Sequence, residues 1–220
     1  MIHLFVFLAV VFSTIACTTI FKSQSPSWDQ SYKRFPASKS IPLNTQLKSI
    51  DNKKPTVCTM TINSSDEKEI FQSFLGKDFN FLELTDDDDW LESACEKKIR
   101  CDILVISGHF GGSFFGSSRH RLSLNTLQRK SCDTLCDGIL KQPKEVFLFG
   151  CNTTAGKKPD HRTPEEYTEV LIADGFSRME AEQVSAFRYS PIGQETQDKM
   201  KQIFPNSRIY GYHSRATYSR

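Results

Sequence analysis

The chain has 220 residues and a mass of 25.1 kDa, a length that fits one domain with a short appendage. Hydrophobic residues make up 38% and Phe occurs 17 times, enough for a buried core, which excludes a disordered, collagen-like or coiled-coil chain. The 28 basic and 26 acidic residues leave a formal charge of +2. Nucleic-acid binding through a large excess of positive charge is therefore excluded, and no nucleic-acid partner is expected.

Residues 4–12, LFVFLAVVF, form an unbroken apolar run at the start of the chain. It is about half the length a transmembrane helix needs and fits the apolar core of a signal peptide. Thr14-Ile15-Ala16-Cys17 follows. It resembles the bacterial lipobox, in which small residues precede a Cys that is acylated after cleavage. That resemblance implies a signal peptide over 1–16, lipidation at Cys17 and a membrane partner reached through the lipid anchor. Thr18 stands where an Asp would signal retention, so the expected location is the bacterial cell envelope, as an outer-membrane lipoprotein. Residues 17–54 carry many Ser and Lys, with Pro26, Pro36 and Pro42 and no sustained periodicity. They read as a flexible tether.

From residue 55 onward the pattern becomes that of a folded domain, 55–220. Residues 56–62 are β-branched and apolar, a strand. A helix follows to about Gly76, capped by Ser65 or Asp66, with Ile70, Phe71, Phe74 and Leu75 on one face. Residues 79–84 are a second strand. The Asp86–Asp89 run opens a short helix; acidic residues suit a helix N-terminus, and no metal is expected there. Residues 101–107 form the clearest strand, an apolar run suited to the centre of a parallel sheet. After a Gly-rich loop come a helix over 124–140 with Asn125 as a possible cap, a strand over 145–150, helices over 177–187 and 194–204, and a strand over 208–212. Ser177 and Glu180 have capping-box spacing. Five strands alternating with helices predict an α/β fold with a mainly parallel central sheet covered on both faces.

Sites in such sheets form at the carboxyl ends of the strands. Two strong strands end in reactive residues: Ser107-Gly108-His109-Phe110-Gly111-Gly112 and Phe149-Gly150-Cys151-Asn152-Thr153-Thr154. If the two strands are neighbours, they lie about 4.8 Å apart and His109 and Cys151 emerge side by side. An imidazole beside a thiol suits nucleophilic thiol catalysis. Backbone N–H groups of Cys151 and of Gly108 or Phe110 are the candidate oxyanion donors. No third catalytic member is evident from spacing.

A strand ending in SGH with glycines, then a helix, then a strand ending in FLFGCNTTAG resembles the caspase-like cysteine peptidases of clan CD, most closely their CHAT branch. The resemblance is strongest over residues 101–156. It implies a caspase-like three-layer sandwich, endopeptidase activity on a peptide or protein substrate, His109 as catalytic histidine and Cys151 as nucleophile, with no cofactor. The family carries Gly after the histidine; here Phe110 stands there, so its side chain has to point away from the substrate. That departure motivates the alternative of a catalytically inactive member acting as a binding or scaffold protein of the envelope.

Other patterns carry less. Five residues separate Gly150 from Gly156, where a phosphate-binding loop has four. Cys132 and Cys136 find no further Cys or His pair for zinc. Seven cysteines in an exported chain permit disulfides, and Cys95 with Cys101 is the candidate bridge by proximity. Arg188, Tyr189 and Gln194 flank Pro191 in an expected surface turn.

Overall fold

The structure, a computed structural model, describes residues 41–63, 65–86, 89–116, 118, 120–156 and 161–213. The expected signal peptide, Cys17 and the tether up to residue 40 lie outside the described residues.

The chain folds as α/β. Five strands form one parallel sheet: β1 (Thr56–Thr61), β2 (Asn80–Glu83), β3 (Ile103–Ser107), β7 (Glu145–Phe149) and β8 (Arg208–Tyr210). Their spatial order is β2-β1-β3-β7-β8. The chain starts at β1, moves to one edge, then returns past β1 and proceeds to the other edge. That reversal is the switch point at which open α/β sheets place their sites. Every residue of β1 and β3 is buried, as their β-branched and apolar composition requires.

Alternation along the strands divides the core between two faces. On one face Cys58, Met60, Leu104, Ile106, Val146 and Leu148 pack against helices α1 (Leu43–Leu47), α3 (Trp90–Glu96), α4 (Leu124–Ser131), α5 (Asp137–Leu140) and α9 (Thr196–Ile203). On the other face Val57, Ile103, Val105, Phe147 and Phe149 meet Phe71 and Leu75 of α2 (Ser65–Leu75). Burying one such side chain contributes about 1.5–3 kcal/mol.

The second face becomes polar toward the carboxyl ends of the strands. Glu83 is 1% exposed. Its carboxylate accepts from the Thr59 hydroxyl at 2.8 Å, the Thr61 N–H at 3.2 Å and the Thr85 N–H at 3.0 Å. The Thr61 and Thr85 hydroxyls also donate to it. Such a set is what keeps a buried carboxylate tolerable. Glu67 accepts from the Ser107 hydroxyl at 2.6 Å and from the Asn63 amide at 2.6 Å, which ties the end of β3 to the first turn of α2.

Several expectations change. Residues 41–54, read as tether, pack on the domain: Leu43 is 2% exposed. Gln46 pairs with the outer edge of β2, accepting from the Glu83 N–H at 2.8 Å and donating to its carbonyl at 3.1 Å. One apolar side chain and one amide suffice to dock a segment whose average composition is polar. The helix over 124–140 is broken. α4 ends at Ser131, Asp133 is extended, and a 3-10 turn (Thr134–Cys136) leads into α5. Its cap is Ser123, which accepts from the Thr126 N–H at 3.0 Å, and not Asn125. The Gly-rich loop folds into a small antiparallel sheet of β4 (His109–Phe110), β5 (Ser113–Phe115) and β6 (Leu122–Ser123). A helix absent from the sequence reading, α6 (Pro164–Ala173), starts from a Thr163/Glu166 capping box. It pairs with α7 (Arg178–Tyr189), whose Ser177/Glu180 capping box is present as spaced, and the short α8 (Pro191–Gln194) follows.

The disulfides also differ. Cys58 bonds to Cys101 and Cys95 to Cys136, so the proximity pairing of Cys95 with Cys101 is wrong. Cys58 faces the start of β3 across the sheet, and α3 lies against the Thr134–Cys136 turn. Partners set by strand and helix neighbours are invisible to sequence separation.

Candidate active site

β3 and β7 are adjacent and parallel, with Ser107 opposite Phe149. The ladder runs one step further, since the Gly108 N–H donates to the Phe149 carbonyl at 3.0 Å. His109 and Cys151 are each two residues beyond that last register pair. The two segments touch closely: a Cβ on Gly150 would lie 2.7 Å from the Gly108 carbonyl oxygen and 3.0 Å from Phe110 Cβ. Only glycine fits at 150 without displacing its neighbours.

His109 and Phe110 open β4 and point to opposite sides. Phe110 is 1% exposed and packs against Phe114 and Phe187, with ring centroids at 4.8 and 5.5 Å. His109 is half-buried between Phe176, at 4.6 Å, and Phe115, at 5.5 Å. Burial pushes the imidazole pKa below its ordinary value; the Glu180 carboxylate opposes part of that shift. A group so placed stays neutral and keeps a nitrogen lone pair available.

Hydrogen bonding sorts the two candidate oxyanion donors from this segment. Gly108 is excluded, because its N–H is spent in the β3–β7 ladder. Phe110 survives. The Gly111 N–H donates to the Ser113 carbonyl, and the Leu124 N–H to the Gly112 carbonyl. With Phe110 opposite Phe114 and Phe114 opposite Leu122, antiparallel alternation aims the Phe114 groups at β6. The Phe110 N–H is therefore on the outer side of the ribbon.

Cys151 lies outside both disulfides and is 5% exposed. Asn152 follows with φ of 63°, a left-handed conformation that Asn tolerates better than most residues. Its amide donates to the Tyr167 hydroxyl at 2.7 Å, while its own Oδ1 is buried without a partner among the described residues. The Thr153 hydroxyl lies 3.0 Å from the Gly150 carbonyl and accepts from the Tyr212 N–H at 3.2 Å. The Thr154 N–H donates to the Tyr212 carbonyl at 3.0 Å. The loop after Cys151 is thus stitched on one side to α6 and on the other to the chain beyond β8.

No family model, curated protein or solved structure matches the chain.

Three neighbours of the site were not singled out from the sequence. Tyr167 lies in the unread helix α6, although Thr163-Pro164-Glu165-Glu166 is a start signal. Phe176 and Glu180 flank the start of α7; Glu180 was read as a cap alone. Arg188, expected at a surface turn, is 5% exposed and donates to the Gly156 carbonyl at 3.4 Å. Tyr189 donates to the Arg162 carbonyl at 2.8 Å and Gln194 to the Tyr189 carbonyl at 3.4 Å. Within the acidic run, Asp86 pairs with Lys68 at 2.6 Å; Asp87 and Asp88 lie outside the described residues.

Proposed function

We propose that this protein is a thiol-dependent peptide hydrolase of caspase-like type, working through His109 and Cys151. The observation that carries the reading is the β3–β7 register, which puts the two residues at equal distances beyond paired strand ends. In the proposed reaction, neutral His109 takes the Cys151 proton and the thiolate attacks a peptide carbonyl carbon. The backbone N–H groups of Phe110 and Cys151 are the proposed oxyanion donors. His109 then gives its proton to the leaving amine as the C–N bond breaks. Water, deprotonated by His109, hydrolyses the thioester and restores the thiol.

Export belongs to the same proposal, with Cys17 as the lipid-bearing residue in a bacterial envelope. Two disulfides support an oxidising compartment. Burial of Cys151 favours a second reading, a non-catalytic binding protein on the same scaffold.

Graded-pH iodoacetamide labelling of the folded protein, read by intact mass, separates them. Catalysis requires fast modification at Cys151, slowed by His109→Ala, and cleavage of a peptide library that Cys151→Ala does not cleave. Slow labelling indifferent to His109, with the library intact, leaves the binding reading.

A further inference from the structure

The two edges of the parallel sheet are finished differently. At β2 the side chain of Gln46 occupies both backbone groups of Glu83. At β8 no such cover exists among the described residues. The Arg208 N–H donates to the Lys144 carbonyl, and the Tyr212 N–H and carbonyl engage Thr153 and Thr154. Alternation therefore turns the N–H and carbonyl groups of Ile209 and Gly211 to the outer side. Neither residue has a hydrogen-bond partner there among the described residues. An unpaired edge of this kind is a template for another strand.

This edge also has a wall. β8 and α9 enclose a groove of about 360 Å³, lined by Thr154, Gln197, Lys201, Ile209, Gly211 and His213 among others. The Thr154 hydroxyl is buried with no partner among the described residues, and Thr154 itself is 7% exposed. The groove thus borders two backbone positions, Ile209 and Gly211, spaced as in a strand and unpaired among the described residues.

Charge decides the occupant. Lys201 lines the groove, and among the described residues no carboxylate does. Arg208, at the start of β8, is exposed and lies 3.8 Å from the Glu145 carboxylate. The nearest acid to Lys201 is Asp198 at 3.8 Å, an exposed pair that contributes little. A second copy of this chain paired edge to edge would bring two such basic sets together. We propose that the β8 edge binds an extended acidic peptide segment of a partner protein by strand addition. The backbone groups of Ile209 and Gly211 supply the ladder, and Lys201 selects for acidic side chains. Thr154 belongs to the loop after Cys151, but the proposal needs no step of the Cys151 chemistry.

The test uses the full chain carrying Cys151→Ala, so that no probe is cleaved. Two pools of acetylated, amidated octapeptides serve as probes. Glu alternates with Val, Ile, Thr or Tyr in one; Lys replaces Glu in the other. Backbone amide exchange is read at Ile209 and Gly211. The Glu pool is expected to slow both amides by about tenfold or more, the Lys pool to leave them unchanged, and Lys201→Glu to raise the Glu-pool concentration required about fivefold. No slowing with either pool, or equal slowing with both, overturns the proposal. Amides already slow in the free protein overturn it too: dilution dependence would assign the edge to a second copy, and dilution independence to the chain itself.

Discussion

The Gly108 N–H donates to the Phe149 carbonyl at 3.0 Å, carrying the β3–β7 ladder one residue beyond its register pairs. That bond brings the His109 segment against the Cys151 segment, and it also removes Gly108 as an oxyanion donor. The contact leaves no room for a Cβ at 150. Gly150→Ala is expected to destabilise the protein by about 1–3 kcal/mol through overpacking and to slow Cys151 labelling. Gly156→Ala is the control, since its Cβ would meet only the Gln197 amide oxygen at 3.8 Å. Urea denaturation of both variants checks this; equal stabilities would mean the two segments are not pressed together.

The turn after Cys151 rests on Asn152 and Tyr167. Tyr167→Phe leaves the Asn152 amide buried without its phenolic partner and is expected to cost about 1–3 kcal/mol. At 152 itself the φ of 63° orders the variants. Asn152→Ala loses the amide and strains the backbone by a further 1–2 kcal/mol or so. Asn152→Gly keeps the left-handed turn and removes an unpartnered oxygen, so it is expected to be the more stable of the two. Thermal melts of the pair decide; a more stable Ala variant would contradict the left-handed turn.

Most of the parallel sheet was legible because its strands are continuous apolar runs. Ile103 to Ser107 and Glu145 to Phe149 need only composition to be read. What stayed hidden depends on partners distant in sequence. The Cys58–Cys101 bridge follows from β1 and β3 being neighbours, and Leu43 docks because the sheet offers an apolar surface to a segment otherwise polar. The β4–β5–β6 ribbon was masked by glycines that read as a loop, though Phe114 and Phe115 supply its buried side chains. For the site, the positions of His109 and Cys151 came from strand-end logic. The roles of Gly108 and Phe110 did not, because which N–H is already spent is a property of the ladder.

The bridges carry their own prediction. Cys58–Cys101 closes a loop of 43 residues and Cys95–Cys136 one of 41. Chain entropy assigns about 4 kcal/mol to each. Cys58→Ala with Cys101→Ala is expected to lose about that much stability, and reductant to lower the melting temperature of the wild type but hardly that of a chain lacking both bridges. A non-reducing digest should yield the peptides of 58 with 101 and of 95 with 136. Recovery of a 95–101 peptide would reverse the assignment.

His109 links stability to reactivity through pH. Burial lowers its folded-state pKa below the ordinary imidazole value of about 6.5. Between the folded and unfolded values the unfolded chain binds more protons, so this residue's contribution to stability falls as the pH drops below about 6.5. The slope approaches about 1.4 kcal/mol per pH unit inside that window and vanishes below the folded pKa. His109→Gln is expected to flatten this part of the stability profile. The Glu180 carboxylate acts in the opposite sense, so Glu180→Gln should drive the imidazole pKa lower still. Gln at that position keeps the capping box of α7, which separates the electrostatic effect from loss of the helix start. Imidazole proton signals followed by NMR titration compare Glu180→Gln with wild type, and urea denaturation across the pH range compares His109→Gln with wild type. If the Glu180→Gln titration moves up or stays in place, the carboxylate is not acting on His109. If it moves down while the rate of Cys151 labelling keeps step, the two residues work on one proton.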